Sequence, residues 1–155
     1  MRKKRLSKPA MNRTLTEGFM REAIAEGRKA RDVSAPNPPV GCVLVRAGEV
    51  VARGFTSEVG ILHAEAVALS RLERDESGLS AFVTLEPCSF QGRTPSCAKA
   101  LIARGVETVY VGIVDPDPRN DGKGLVLLRE AGIEVVLGIL EDEIRSELGP
   151  YLHVT

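Results

Sequence analysis

The order of local patterns from residue 41 onward constrains the fold most. "GCVLVRAGEVVARGF" (41–55) is two β-rich runs joined by a short turn at Ala47-Gly48, which reads as a hairpin. Strand and helix patterns then alternate. "HAEAVALSRLERD" (63–75) is helical, "SAFVTLE" (80–86) is a strand, and "SCAKALIARG" (96–105) is a helix stopped by Gly105. "VETVYVGIVD" (106–115) reads as a buried strand, "GKGLVLLREAG" (122–132) as a helix ended by Gly132, and "IEVVLGIL" (133–140) as a strand. The expected class is α/β. It is a three-layer α/β/α sandwich around a five-stranded mixed sheet, with an antiparallel hairpin at one side and parallel strands beyond it.

The flanks fit that scheme. "LTEGFMREAIAEGRKARDV" (15–33) has apolar Phe19, Ile24 and Ala30 among charges, an amphipathic helix with Thr16 as candidate N-cap. "SAPNPPVG" breaks the chain before the hairpin, and "EDEIRSELGPYL" closes it with a short helix. At 155 residues the chain fits one domain. Residues 1–13 hold six cations and no acid and read as a disordered tail; residues 14–155 form the folded domain. That leaves 15 basic against 21 acidic residues in the body, which argues against a nucleic-acid-binding surface. No apolar run approaches the roughly 20 residues that a membrane span needs. Three cysteines point to a reducing, cytoplasmic compartment with thiols kept for chemistry or packing.

Two of those cysteines share one proline-punctuated loop, "LEPCSFQGRTPSC" (85–97). "HAE" (63–65) opens a predicted helix, Cys88 follows a strand end, and Cys97 opens the next helix. Both helix starts face the crevice at the carboxyl end of the sheet, where open α/β folds bind ligands. One imidazole and two thiolates are three ligands for Zn2+, the number that leaves a fourth position for water. A helix N-terminus favours a thiolate. Glu65, two residues past His63, need not be a ligand and is placed to move protons. The H-x-E…P-C…C order is the signature of zinc hydrolytic deaminases, with the glutamate as general acid and base.

The stretches "APNPPVGCVLV", "HAE", "VTLEPCS", "GRTPSC", "ALIARGV", "DPDP", "GKGL" and "AGIEV", spread over about residues 17–140, carry a family resemblance. The sequence resembles the deaminase domain of the bifunctional riboflavin biosynthesis deaminase/reductase, within the cytidine deaminase-like superfamily. The resemblance implies hydrolytic deamination of diaminohydroxyphosphoribosylaminopyrimidine with release of ammonia. It places the metal ligands on His63, Cys88 and Cys97 and the proton shuttle on Glu65. It further implies that Asn37 and Arg93 contact substrate, although Asn37 reads equally as a turn residue between prolines and Arg93 as a solvated loop cation. Relatives form dimers or tetramers, so a homo-oligomer is expected. The reductase domain is expected to be absent, because the chain stops at Thr155.

The departures from the family concern the substrate. Thr56 and Phe90 stand where the family usually has histidines, Val67 replaces a third, and Asp117 replaces the asparagine of "DPNP". Phe90 suits stacking on a ring better than binding phosphate, and an ionised Asp117 repels phosphate. Lys123 is a candidate compensating cation. These positions leave open the same chemistry on another aminated pyrimidine, purine or nucleoside. A catalytically idle zinc-stabilised module is the reading from another class; retention of Glu65 argues against it.

Overall fold

The structure, a computed structural model, describes residues 11–58, 62–73, 77–91 and 95–152. Arg93 and most of the basic tail therefore lie outside the described residues, as does His153.

Helix α1 spans Arg13–Arg28. Its cap is Asn12 and not the expected Thr16: the Asn12 side chain accepts the backbone N–H of Leu15 at 2.9 Å. Thr16 lies a turn further in, buried, with its hydroxyl donating to the Arg13 carbonyl at 3.0 Å. Asn12 wins because its extended backbone aims the side-chain oxygen at the first free N–H groups. The single helix expected over 15–33 is also broken. Lys29 and Ala30 donate to carbonyls three residues back, Glu26 and Gly27, and a short helix α2 (Arg31–Ser34) follows. The break falls where Gly27 meets the backbone of Pro39 to Gly41, an approach that leaves no room for a side chain.

Strand β1 (Gly41–Arg46) and β2 (Glu49–Phe55) form the expected antiparallel hairpin, with a register shift between Leu44 and Val45. β3 (Leu79–Leu85) lies antiparallel to β1 on its other side. β4 (Thr108–Ile113) and β5 (Glu134–Leu137) continue the sheet in parallel. The order is β2-β1-β3-β4-β5, the mixed five-stranded sheet expected from the pattern. The strands begin later than their apolar runs, with Val106 and Ile133 buried in the connections that lead into β4 and β5.

Helices cover both faces. α1 and α6 (Glu141–Leu148) share one, tied together by Arg28 and Arg31, which both pair with Glu147. α3 (Ala64–Ser70), α4 (Cys97–Ala103) and α5 (Lys123–Glu130) lie side by side on the other. β1 and β3 are almost wholly buried, as central strands covered on both faces must be. Under α1, Phe82 sits between Phe19 (ring centroids 5.3 Å apart) and Tyr110 (4.3 Å, stacked). A 3₁₀ turn at Gly149–Tyr151 ends the described chain. The fold brings the carboxyl ends of β3 and β4 together with the starts of α3, α4 and α5.

Candidate metal centre and its cavity

His63 is the N-cap residue of α3 and makes no capping bond with its side chain, so the ring is free to turn into the crevice. Its Nδ1 lies 3.6 Å from Cys88 Sγ and 3.3 Å from Cys97 Sγ. The three ligand atoms all fall within 4.8 Å of one another. A tetrahedral zinc with Zn–S of about 2.3 Å and Zn–N of about 2.0 Å needs N···S edges of roughly 3.5 Å. The donor set therefore fits zinc in chemistry and spacing. The cysteines are buried and His63 is exposed, which leaves the centre open on the cavity side.

The two cysteines are locked together through the backbone. The Cys97 N–H donates to Cys88 Sγ at 3.2 Å. Ser96, the N-cap of α4, donates to the Cys88 carbonyl at 2.7 Å, and the Ala98 N–H donates to the same oxygen at 3.1 Å. Hydrogen bonds from Cys97 hold the Cys88 thiol well below its ordinary value, aided by His63. The Cys97 thiol is pushed up by its bond to Cys88 and by burial. The bond to Cys88 pulls His63 up to about 8.

Glu65 is buried in the first turn of α3, beside the same three residues. Burial pushes its carboxyl up to about 7, against the lowering pull of His63. A carboxyl poised there can take up and give back a proton near neutrality.

A second carboxylate holds the crevice together. Glu86, at the end of β3, accepts four backbone N–H groups from the 115–125 segment. Oε1 takes Asp115 (3.1 Å) and Gly122 (3.0 Å); Oε2 takes Gly124 (2.9 Å) and Leu125 (3.3 Å). Burial pushes this carboxyl up, and the four N–H groups pull it back down. Asn120, fully buried, accepts from Ser89 and Gly124 and donates to the Pro87 carbonyl. A Cβ at Gly124 would run into that same carbonyl, so only glycine lets α5 seat against the Pro87-Cys88 turn. The sequence reading missed Glu86 and Asn120, because the backbone groups they bind leave no signal in the sequence.

The metal ligands open onto a cavity of about 230 Å³. Asn37, Thr56, Phe90 and Asp117, the residues named from the sequence for substrate contact, line it. Their roles differ. The Asn37 side chain meets no partner among the described residues and is free for a ligand. The Thr56 hydroxyl is occupied with backbone, accepting from the Val40 N–H at 3.0 Å and donating to the Pro38 carbonyl at 3.2 Å. Asp117 is not the bare carboxylate the sequence suggested. Arg119 clasps it with Nη2–Oδ2 at 2.6 Å and Nε–Oδ1 at 3.1 Å, and the guanidinium lies 4.6 Å over the Phe90 ring. Lys123, the expected compensating cation, is exposed at the start of α5 and does not line the cavity. Arg119, Asp115 and Tyr151, which do, went unread.

Fold and site together define a class: an α/β/α deaminase fold built around a three-ligand zinc centre. Residues 13–113 match the family model described as the cytidine and deoxycytidylate deaminase zinc-binding region, and the chain belongs to that family. The riboflavin biosynthesis protein RibD of Chlamydia muridarum is 45% identical over 135 residues, covering 87% of this chain and 36% of the relative. The structure of Acinetobacter baumannii RibD superposes with a TM-score of 0.84 at 40% identity, over 88% of this chain and 38% of that one. The diaminohydroxyphosphoribosylaminopyrimidine deaminase/5-amino-6-(5-phosphoribosylamino)uracil reductase of Thermotoga maritima gives 0.84 at 38% identity, over 88% and 40%. This chain thus spans 36% to 40% of the length of these relatives. Among the described residues no helix is long and apolar enough to cross a membrane.

Proposed function

We propose that this chain hydrolyses an exocyclic amine from an aminopyrimidine that carries ribose phosphate, the diaminohydroxyphosphoribosylaminopyrimidine after which the Thermotoga relative is named. The observation that carries the reading is the convergence of His63, Cys88 and Cys97 on one cavity with Glu65 buried beside them. Identity to the RibD proteins supports the choice of substrate.

His63 Nδ1 and the two Sγ atoms would hold the zinc. When bound, the metal would supply Lewis-acid chemistry and a water activated near neutral pH. The chain's own contribution is proton management and positioning. Glu65 takes a proton from the attacking water at its carboxylate and delivers it to the ring nitrogen next to the reacting carbon. It then takes the second proton from the hydroxyl so formed and passes it to the departing amine as the C–N bond breaks and the carbonyl forms. Amine and water enter; carbonyl and ammonia leave. Its pKa of about 7 suits both directions of transfer. Asn37 offers an amide to the ring or sugar. A merely structural zinc gives no reason to bury a carboxyl with a raised pKa against its ligands, which sets aside the idle-module reading.

A second reading keeps the chemistry and changes the ring. It is favoured by the apolar Phe90 in the cavity wall, which suits other aminated heterocycles as well. Ammonia release from the phosphorylated aminopyrimidine, its dephosphorylated form, and a panel of aminated purines and nucleosides decides between them. Glu65→Gln is expected to retain zinc and lose activity roughly 100-fold or more. Activity confined to the panel would reject the riboflavin-pathway substrate, and an active Glu65→Gln protein would reject the shuttle.

The buried thiols, all three free, support the cytoplasmic assignment, and homo-oligomerisation is part of the same proposal by analogy with relatives.

A further inference from the structure

The chemistry proposed above does not use Arg119, yet Arg119 lines the cavity that holds the metal ligands. Among the described residues it is the only lysine or arginine to do so. Four carboxylates share that lining: Glu65, Glu86, Asp115 and Asp117. An anionic substituent placed deep among them would be repelled. The cavity, at about 230 Å³, is also smaller than the roughly 300–1,000 Å³ of a drug-sized site, so it accommodates a ring and sends a large substituent to the rim.

At that rim the guanidinium is held in one pose by two contacts. Nε and Nη2 grip both oxygens of Asp117, at 3.1, 3.2 and 2.6 Å. Cζ stands 4.6 Å over the Phe90 ring. Nη1 meets no partner among the described residues, and the side chain is 70% exposed. A planar fork with one edge gripped, one face stacked and one edge open is preorganised for a bidentate oxyanion.

We infer that Arg119 is the anion receptor of this pocket. Its open Nη1 edge takes the phosphate carried by the substrate's sugar, with Asp117 and Phe90 as positioning residues for the guanidinium. The identity of the ring rests on the function proposed above; the anion preference does not. The expectation drawn from Asp117 alone is thereby reversed, and the pocket favours phosphorylated ligands.

The test uses zinc-loaded protein carrying Glu65→Gln, so that ligands bind without turnover. The phosphorylated aminopyrimidine, its dephosphorylated form and ribose 5-phosphate are titrated by calorimetry. The phosphorylated form is expected to bind roughly 10- to 100-fold tighter than its dephosphorylated form, the scale of a charge-assisted hydrogen bond. Arg119→Ala should remove most of that ratio, and Arg119→Lys should keep part of it. Because Arg119→Ala also takes the guanidinium away from Asp117, the double variant Arg119→Ala/Asp117→Asn separates the two effects. A receptor role leaves the double variant without the preference; its recovery would mean that Arg119 only screens Asp117, and would overturn the inference. If neither pyrimidine binds, the proposed substrate is rejected and ribose 5-phosphate decides the matter. Binding lost with Arg119→Ala then supports the receptor, while no binding, or binding indifferent to Arg119, overturns it.

Discussion

Glu86→Gln tests whether the crevice is held by one carboxylate. The substitution keeps the size and shape of the side chain and replaces one oxygen by an amino group. Each oxygen of Glu86 accepts two backbone N–H groups: Asp115 and Gly122 on one side, Gly124 and Leu125 on the other. The glutamine oxygen can serve one pair. Its amino group then faces the other pair, donor against donor, at a position 3% exposed to solvent. An unsatisfied buried donor costs about 1–3 kcal/mol, so two cost about 2–6 kcal/mol. That is a large share of the roughly 5–15 kcal/mol that holds a domain together.

The assay is urea unfolding of the zinc-loaded protein, with the melting temperature as a second readout. At about 2–4 °C per kcal/mol for a chain of this size, Tm should fall by roughly 5–20 °C. Glu141→Gln is the control, because the exposed Glu141–Arg145 pair at 2.8 Å is worth about 0.5 kcal/mol or less. A Glu86→Gln protein within 0.5 kcal/mol of the unchanged chain would mean that the 115–125 segment is held by other contacts, and the clamp argument would fall.

Zinc added to metal-stripped protein at pH 7 should bind at one ion per chain and release about two protons. With His63 raised to about 8, Cys97 above its ordinary range and Cys88 below its own, the first two carry the protons that zinc displaces. Zinc affinity must therefore weaken as pH falls, and calorimetry in two buffers of different ionisation enthalpy checks the count; near-zero release would refute the assignment. Gly124→Ala should destabilise by about 1–3 kcal/mol and lower zinc retention, because the added methyl meets the Pro87 carbonyl beside Cys88. Gly149→Ala, with nothing within 4 Å of the added Cβ, is the matched control for unfolding and zinc content.

The sheet and the metal set were legible in the sequence because both are written in local terms. The hairpin shows as two β-rich runs around Ala47-Gly48, and each crossover shows as a helix pattern between two strand patterns. His63, Cys88 and Cys97 are legible because ligand chemistry belongs to the side chain, and because each sits at an element boundary that can be read from its neighbours. Helix caps were harder. Asn12 and Thr16 are both good caps four residues apart, and the choice between them depends on how Phe19, Met20 and Ala23 seat on the sheet.

The substrate side of the pocket was only half legible, for a physical reason. The family resemblance pointed to Thr56 and Asp117, but the partner that decides what each can do is not adjacent in any pattern. Thr56 spends its hydroxyl on Pro38 and Val40, brought to it by the hairpin closing on the proline-rich loop. Asp117 meets Arg119 only two residues on, yet the pair matters because Arg119 also reaches Phe90, 29 positions earlier in the numbering. That meeting needs the 115–125 segment folded back against the end of β3, which Glu86 and Asn120 enforce through backbone bonds. Backbone N–H groups carry no sequence signature, so a carboxylate that binds four of them looks like any acidic residue until the fold is known. The sign of the charge presented to a ligand at this rim is thus set by Glu86 and Asn120, neither of which needs to touch that ligand.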